Sequence, residues 1–318
     1  MAIPRVAVLR GGMSNEYEVS MQTGRAVLQA LQHMDYPHKD VVITRTGDWL
    51  DGGKVRQPEQ IVTGVDVVFL ALHGEHGEDG RVQRWLSNHQ IPYTGSQAIA
   101  SATALNKPLT KQLAQQYGIK TPYGQLITTD ANLEQITLHP ELGDTVVVKP
   151  AAAGSSLDTH VGMTSTEALE LLPSLLQRYQ AVLVEEMIPG RELTVGLLEE
   201  FRDTRYYLLP PIEIKPPTTQ HFYSYEAKYG GECDYYCPAV CSKEERAMLA
   251  RATETIHKAL GLRHYSRSDF LLHGGEVYFL EVNTLPGLTE HSLFPKGLAA
   301  VGASYEQLIA HLIGQAAH

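Results

Sequence analysis

Arg267, Asp269, Glu281 and Asn283 lie within one stretch, YSRSDFLLHGGEVYFLEVNTLPGLTEHSLFPK, that begins at Tyr265. Two carboxylates and an amide oxygen are hard ligands of the kind that hold Mg²⁺ jointly with substrate phosphates. Glu281 and Asn283 are two residues apart, so on a strand they share a face; Arg267 and Asp269 share one for the same reason. The guanidinium is then within reach of any anion held by the metal. Read alone, the same residues also fit an amphipathic hairpin with a solvated carboxylate at each end.

To act together these side chains need two strands joined at Gly274-Gly275. A two-residue turn there pairs His273 with Glu276 and sets Asp269 opposite Leu280, away from the face of Glu281. A shared metal forbids that arrangement. The reading therefore predicts either an odd-numbered loop or a bulge in one strand, with Gly274 or Gly275 at positive φ. Beyond Asn283 the chain leaves as a turn-rich loop, TLPGLT.

Other segments supply charge or small residues at strand ends. Arg5 to Arg10 reads as a strand, followed by Gly11-Gly12 and a helix with Val27, Leu28, Leu31 and Met34 at helical spacing. This is the opening of an α/β domain, and it places Glu16 in a loop at the carboxyl end of a strand, where such sheets bind ligands. A carboxylate there also serves simply as a helix N-terminal charge. Val65 to Leu72 is a buried strand ending in His73 and a glycine-rich run, GEHGEDG, whose Glu78 and Asp79 read as turn-fixing acids. The strand Val146 to Lys149 runs into Ala151-Ala152-Ala153-Gly154-Ser155-Ser156, where small side chains let backbone N–H groups approach phosphate oxygens and Lys149 adds a point charge. Ala181 to Glu186 is a further buried strand. Ser242 and Glu245 form a capping box ahead of a helical stripe that Gly261 ends, and Ser304 to Leu312 is an amphipathic helix.

Several of these runs together resemble the D-alanine–D-alanine ligases of the ATP-grasp superfamily. The matching motifs are GGMSNEYEVS, LHGEHGEDG, NKPLTKQLAQQYGIKTP, VKPAAAGSS, FYSYEAKY, and RSDF with LEVNTLPGLT and SLFP, in the family's order along nearly the whole chain. The resemblance implies an α/β and α+β, three-domain ATP-grasp fold with an N-terminal Rossmann-like domain at 1–104. A central lobe at 105–188 and a C-terminal lobe at 189–318 follow. It implies an acyl-phosphate ligase using ATP, two Mg²⁺ ions (Mn²⁺ as a substitute) and D-alanine. Glu16 then holds the first substrate's amino group, in a hydrogen-bond chain with Ser155 and Tyr229, and His73 lies near its carboxylate. Arg267 and the Gly287 N–H face the oxyanion, while Ser292 and the Leu293 N–H hold the second carboxylate. ATP meets Lys107, Lys149, Ser156 and Lys228, with Glu185, the Glu186 to Ile188 linker and Glu192 around adenosine. Asp269, Glu281 and Asn283 are the metal ligands. Two departures stand out: Asn106 replaces the usual Asp, and Leu157-Asp158 replaces Val-Gly.

Composition narrows the classes. The chain has 318 residues, 43% of them hydrophobic, enough for two or three domains with a sizeable core. A net charge of −10 argues against a nucleic-acid or membrane-surface protein, whose affinity comes from clustered Lys and Arg. No long apolar run or charged leader appears, so a cytoplasmic enzyme is expected, and the resemblance adds a homodimer. The three cysteines, Cys233, Cys237 and Cys241, fit no common metal spacing and are read as free thiols.

Overall fold

The structure, a computed structural model, describes residues 3–132, 135–215 and 233–317. Three sheets organise it, and each is built around one of the chemistry-bearing segments.

The first sheet has the order β4-β3-β2-β1-β5, with β1 (Val6–Gly11), β2 (His38–Ile43), β3 (Trp49–Asp51), β4 (Lys54–Val55) and β5 (Val67–Leu70). Strand β1 pairs parallel with both β2 and β5. Chain order reverses at β1, so the loops after β1 and β5 open side by side at the carboxyl ends of the strands, the place where such sheets take ligands. Glu16 leaves the first loop and His73 the second. Gly11 makes the exit from β1 feasible: its φ is +89°, and a Cβ there would lie 2.3 Å from the Ile43 carbonyl oxygen. Helix α1 (Tyr17–His33) follows, burying Val27 and Leu31 against the sheet.

The second sheet has the order β6-β9-β7-β8, all antiparallel: β6 (Gly124–Thr128), β7 (Thr145–Pro150), β8 (His160–Thr164) and β9 (Ala181–Glu186). It is covered on one face by α6 (Ser165–Arg178), whose start is fixed by a capping box of Thr164 and Glu167. The small-residue loop lies between β7 and β8.

The third sheet is antiparallel, β13-β12-β10-β14-β15 with β11 on β10. Its strands are β10 (Arg191–Phe201), β11 (Thr204–Leu208), β12 (Ile212–Lys215), β13 (Asp234–Tyr236), β14 (Tyr265–His273) and β15 (Glu276–Asn283). Phe270 and Phe279 face each other edge-on, 5.8 Å between centroids, and point into a core shared with α4 (Ala98–Leu105), α5 (Lys107–Gln116) and α7 (Lys243–Ala259). That apolar anchoring turns the alternate residues of β14 and β15 toward the second sheet. The C-terminal helices α8 (Leu293–Ala300) and α9 (Tyr305–Ala316) join the apolar core of the first sheet, so the two ends of the chain share one core.

The β14–β15 hairpin resolves the register problem posed by the sequence. Gly274 and Gly275 form a two-residue turn at φ +57° and +78°, and His273 pairs with Glu276. Phe270 pairs with Phe279 but Asp269 pairs with Glu281, so Leu280 is the extra residue of a bulge. The required bulge is present, and the carboxylates lie directly opposite on one face.

The Gly11 geometry yields a stability test. Gly11→Ala meets both a left-handed φ and a backbone oxygen, with an expected cost of roughly 2–4 kcal/mol. Gly118→Ala shares the left-handed φ (+73°) but has nothing within 4 Å of the added Cβ, and it should cost only about 1 kcal/mol. Denaturant unfolding of both variants checks this; equal losses contradict the close approach at Ile43.

Candidate active site

A cleft of about 480 Å³ separates the second and third sheets. Lys107, Lys149, Ser156, Glu185, Glu186, Ile188, Glu192, Asp269 and Glu281 all line it, with Val147, Val161, Met187, Leu271 and Leu280 as apolar walls. The bulge explains why Leu280 and Glu281, though consecutive, both face this cleft. An apolar slot edged by lysines suits a flat heterocycle carrying an anionic tail.

Asp269, Glu281 and Glu185 each meet a cation in the cleft. Asp269 accepts from Arg267 Nε and Nη2, both at 3.0 Å, and from Thr194 Oγ1 at 2.5 Å. Asn283 Nδ2 donates to Asp269 Oδ2 at 3.2 Å, which brings the third hard-oxygen residue against the first. Lys107 Nζ reaches Glu281 Oε2 at 3.0 Å and also the Ala153 carbonyl, so one lysine joins the metal strand to the small-residue loop. Glu185 is 2% exposed and bridges Lys111 and Lys149, the latter at 2.7 Å. Burial pushes its pKa up, but the two lysines outweigh burial and hold the carboxyl below the usual range. Burial in turn pulls Lys111 down to about 7 against the pull of Glu185.

Lys111 carries no role in the sequence reading. Its signal was available: Lys107 and Lys111 are four apart, hence on one face of α5. Asn106 accepts from Leu109 N at 3.1 Å and so caps α5, the work an Asp would do. Asp158 sits at φ +50° and accepts from Arg178 Nη1 at 2.6 Å and Tyr179 Oη at 2.5 Å, tying the small-residue loop to the end of α6.

A second group of residues gathers beside the cleft. Ser155 Oγ donates to Glu16 Oε1. Glu16 fits between two glycines, because a Cβ on Gly74 or Gly154 would lie 2.4 or 2.6 Å from its Oε2. Ser14 Oγ donates to the His73 carbonyl at 2.8 Å and in turn accepts from Glu16 N, hanging the Glu16 loop on the His73 loop. His73 is buried, which lowers its pKa, and both ring nitrogens have partners. The Leu285 carbonyl, 3.0 Å away, only accepts, so Nδ1 carries the proton and Nε2 accepts from Thr23 Oγ1 at 2.8 Å. Gly287 packs on Ser292, whose Oγ accepts from Thr289 N at 3.0 Å and whose position caps α8 ahead of Leu293. Tyr229 and Lys228 lie outside the described residues.

The donor set fits a hard divalent cation. Among the described residues no three His, Cys, Asp or Glu side chains cluster for a metal. Asp269 and Glu281 supply two carboxylates and Asn283 an amide, and such a set holds Mg²⁺ only with further oxygens from substrate phosphates.

Known proteins resemble this chain in sequence and fold. The family model described as D-ala D-ala ligase C-terminus covers residues 113–314, and the corresponding N-terminus model covers residues 5–63 and 53–96. A D-alanine–D-alanine ligase of Geobacter sulfurreducens is 39% identical over 316 residues, 97% of this chain and 93% of that protein. The D-alanine–D-alanine ligase of Bacillus anthracis complexed with ATP superposes with a TM-score of 0.80 at 28% identity, covering 98% of this chain and 97% of that one. A D-Ala:D-Ser ligase of Enterococcus faecalis superposes with a TM-score of 0.78 at 27% identity, each chain 99% covered. No helix among the described residues is long and apolar enough to cross a membrane. By fold, motifs and full-length similarity, the chain belongs to the D-alanine–D-alanine ligase family, with its three-domain ATP-grasp fold.

Proposed function

We propose that this chain joins two D-alanines at the expense of ATP, giving the D-alanyl-D-alanine used in peptidoglycan precursor synthesis. The observation that carries the reading is the register of β14 and β15: Asp269 opposite Glu281, on the cleft that Lys107 and Lys149 also enter.

A carboxylate resists attack by an amine until one oxygen is made a leaving group. The first D-alanine carboxylate attacks the terminal phosphorus of ATP, giving an acyl phosphate and ADP. The amine of the second D-alanine attacks the acyl carbon, loses a proton, and phosphate leaves. Lys107 and Lys149 bring positive charge to the polyphosphate in a slot of low exposure, where each charge counts for more than in water. Asp269, Glu281 and Asn283 would hold Mg²⁺, which when bound would supply positive charge against the phosphates. Glu16 binds the first amino group, its carboxylate aimed by Ser155. Arg267 and the Gly287 N–H are donors for the developing oxyanion, and Ser292 with the Leu293 N–H holds the second carboxylate. Glu186 Oε1 accepts from Tyr123 N at 2.8 Å, which stiffens the linker through Ile188 that carries adenine, and Glu192 takes the ribose. Lys228 and Tyr229 extend this set from outside the described residues. Mn²⁺ as a substitute metal, a homodimeric assembly and a cytoplasmic location belong to the same proposal.

A second reading, ligation of D-alanine to D-serine, draws on the similarity to the D-Ala:D-Ser ligase. Product analysis separates the two. With ATP and equal D-alanine and D-serine, D-alanyl-D-alanine should dominate, one phosphate appearing per dipeptide; a mixed dipeptide as main product overturns the first reading. The metal assignment has its own test. Glu281→Gln keeps the shape and removes the charge, so the unfolding midpoint should stay while kcat falls below about a tenth, a loss above about 1.4 kcal/mol in transition-state stabilisation. Turnover above that level places the metal elsewhere.

A further inference from the structure

Glu78 is buried at the meeting point of two loops that the mechanism needs in register. Its Oε1 accepts from Gly74 N at 3.1 Å, within the loop that carries His73. Its Oε2 accepts from Thr284 N at 3.3 Å, Thr284 Oγ1 at 3.3 Å and Leu285 N at 3.2 Å, in the loop that leaves the metal strand for Gly287. The Leu285 backbone is thus gripped on both sides, its N–H by Glu78 and its carbonyl by His73 Nδ1. The loop of Glu78 is itself stiff: Gln83 Nε2 donates to the Gly77 carbonyl at 2.6 Å, and Asp79 accepts from His76 N and Arg81 N.

We infer that Glu78 is a positioning residue of the ligase reaction: one carboxylate fastens the first-substrate loop of the N-terminal sheet to the Thr284–Gly287 loop, so that Glu16 and the Gly287 N–H address the same acyl group. A carboxylate suits the task, since it accepts on both oxygens, whereas an amide has one accepting end and one donating end. The burial of so many donors also explains the residue type. Burial, then the charge of Glu16, push Glu78 up to about 7, and the N–H groups of Gly74, Leu285 and Thr284 oppose that rise. Tyr265 also feels this carboxylate. Glu78 touches neither the nucleotide cleft nor the residues assigned to adenosine, so its influence belongs to the amino-acid end of the site.

The inference rests on the ligase reading, and the experiment separates the two. If the wild-type chain forms no dipeptide from ATP and D-alanine, the reading fails; if it does, Glu78→Gln tests the inference. The amide must turn its NH₂ toward one set of backbone N–H donors, freeing one loop. We expect kcat/KM for D-alanine to fall about tenfold or more, as for a buried hydrogen bond lost between the two loops that position the acyl group, with KM for ATP within about twofold. Phosphate release should exceed dipeptide formation, because a misplaced acyl phosphate is lost to water. Thr284→Val removes only the Oγ1 contact and should shift the same D-alanine parameter by a smaller factor, and it carries the test if Glu78→Gln fails to fold. Unchanged D-alanine parameters, or equal shifts for D-alanine and ATP, overturn the inference.

Discussion

The site is organised by one constraint: the carboxylates of Asp269, Glu281 and Glu185, placed together in a low-exposure cleft, must each meet a cation. Asp269 and Glu281 lie opposite each other on one strand face, where two like charges repel unless something intervenes. Arg267 takes the first and Lys107 the second. Deeper in the cleft, Glu185 stands between Lys111 and Lys149. Under the proposed function, polyphosphate and a divalent metal would add both signs of charge to this slot. The lysines would gain anionic oxygens and the carboxylates a metal, so the same groups would serve in either condition without an unpaired buried charge.

That balance also links the sheets mechanically. Lys107 contacts Glu281 on β15 and the Ala153 carbonyl in the loop after β7, while Ser155 in that loop meets Glu16 from the first sheet. All three sheets therefore converge within a few residues. The Leu285 clamp adds a second tie between the first and third sheets. These short polar paths join the sheets beside the apolar core that the first and third sheets share.

Much of this was legible in the residues. The strand Ala181–Glu186, the capping box at Ser242 and the amphipathic helix after Ser304 occupy the places their patterns indicate, because period and capping are local properties. The bulge at Leu280 was legible by a different route: alternation alone puts Asp269 and Glu281 on opposite faces, and only the demand for a common metal predicts the extra residue. Lys111 was only half visible: its spacing from Lys107 puts both on one face of α5, but its partner Glu185 is 74 residues away, and a lysine in a polar helix ordinarily reads as solvated. Glu78 was half visible. Its turn-fixing bond to Gly74 is local, but its grip on Thr284 and Leu285 spans more than 200 residues. The partners of His73 were likewise beyond the reach of pattern, since a carbonyl at Leu285 leaves no mark in the sequence around His73.

The central claim, that Asp269, Glu281 and Asn283 form one metal-binding face on the nucleotide cleft, is open to direct observation. Crystals grown with a non-hydrolysable ATP analogue and Mn²⁺ can be measured at a wavelength where manganese scatters anomalously. The account predicts an anomalous peak touching both Asp269 and Glu281, with Lys107 moved from Glu281 toward the phosphates. A peak in the cleft that contacts neither carboxylate, or bound nucleotide with Lys107 still on Glu281 and no peak, would contradict it.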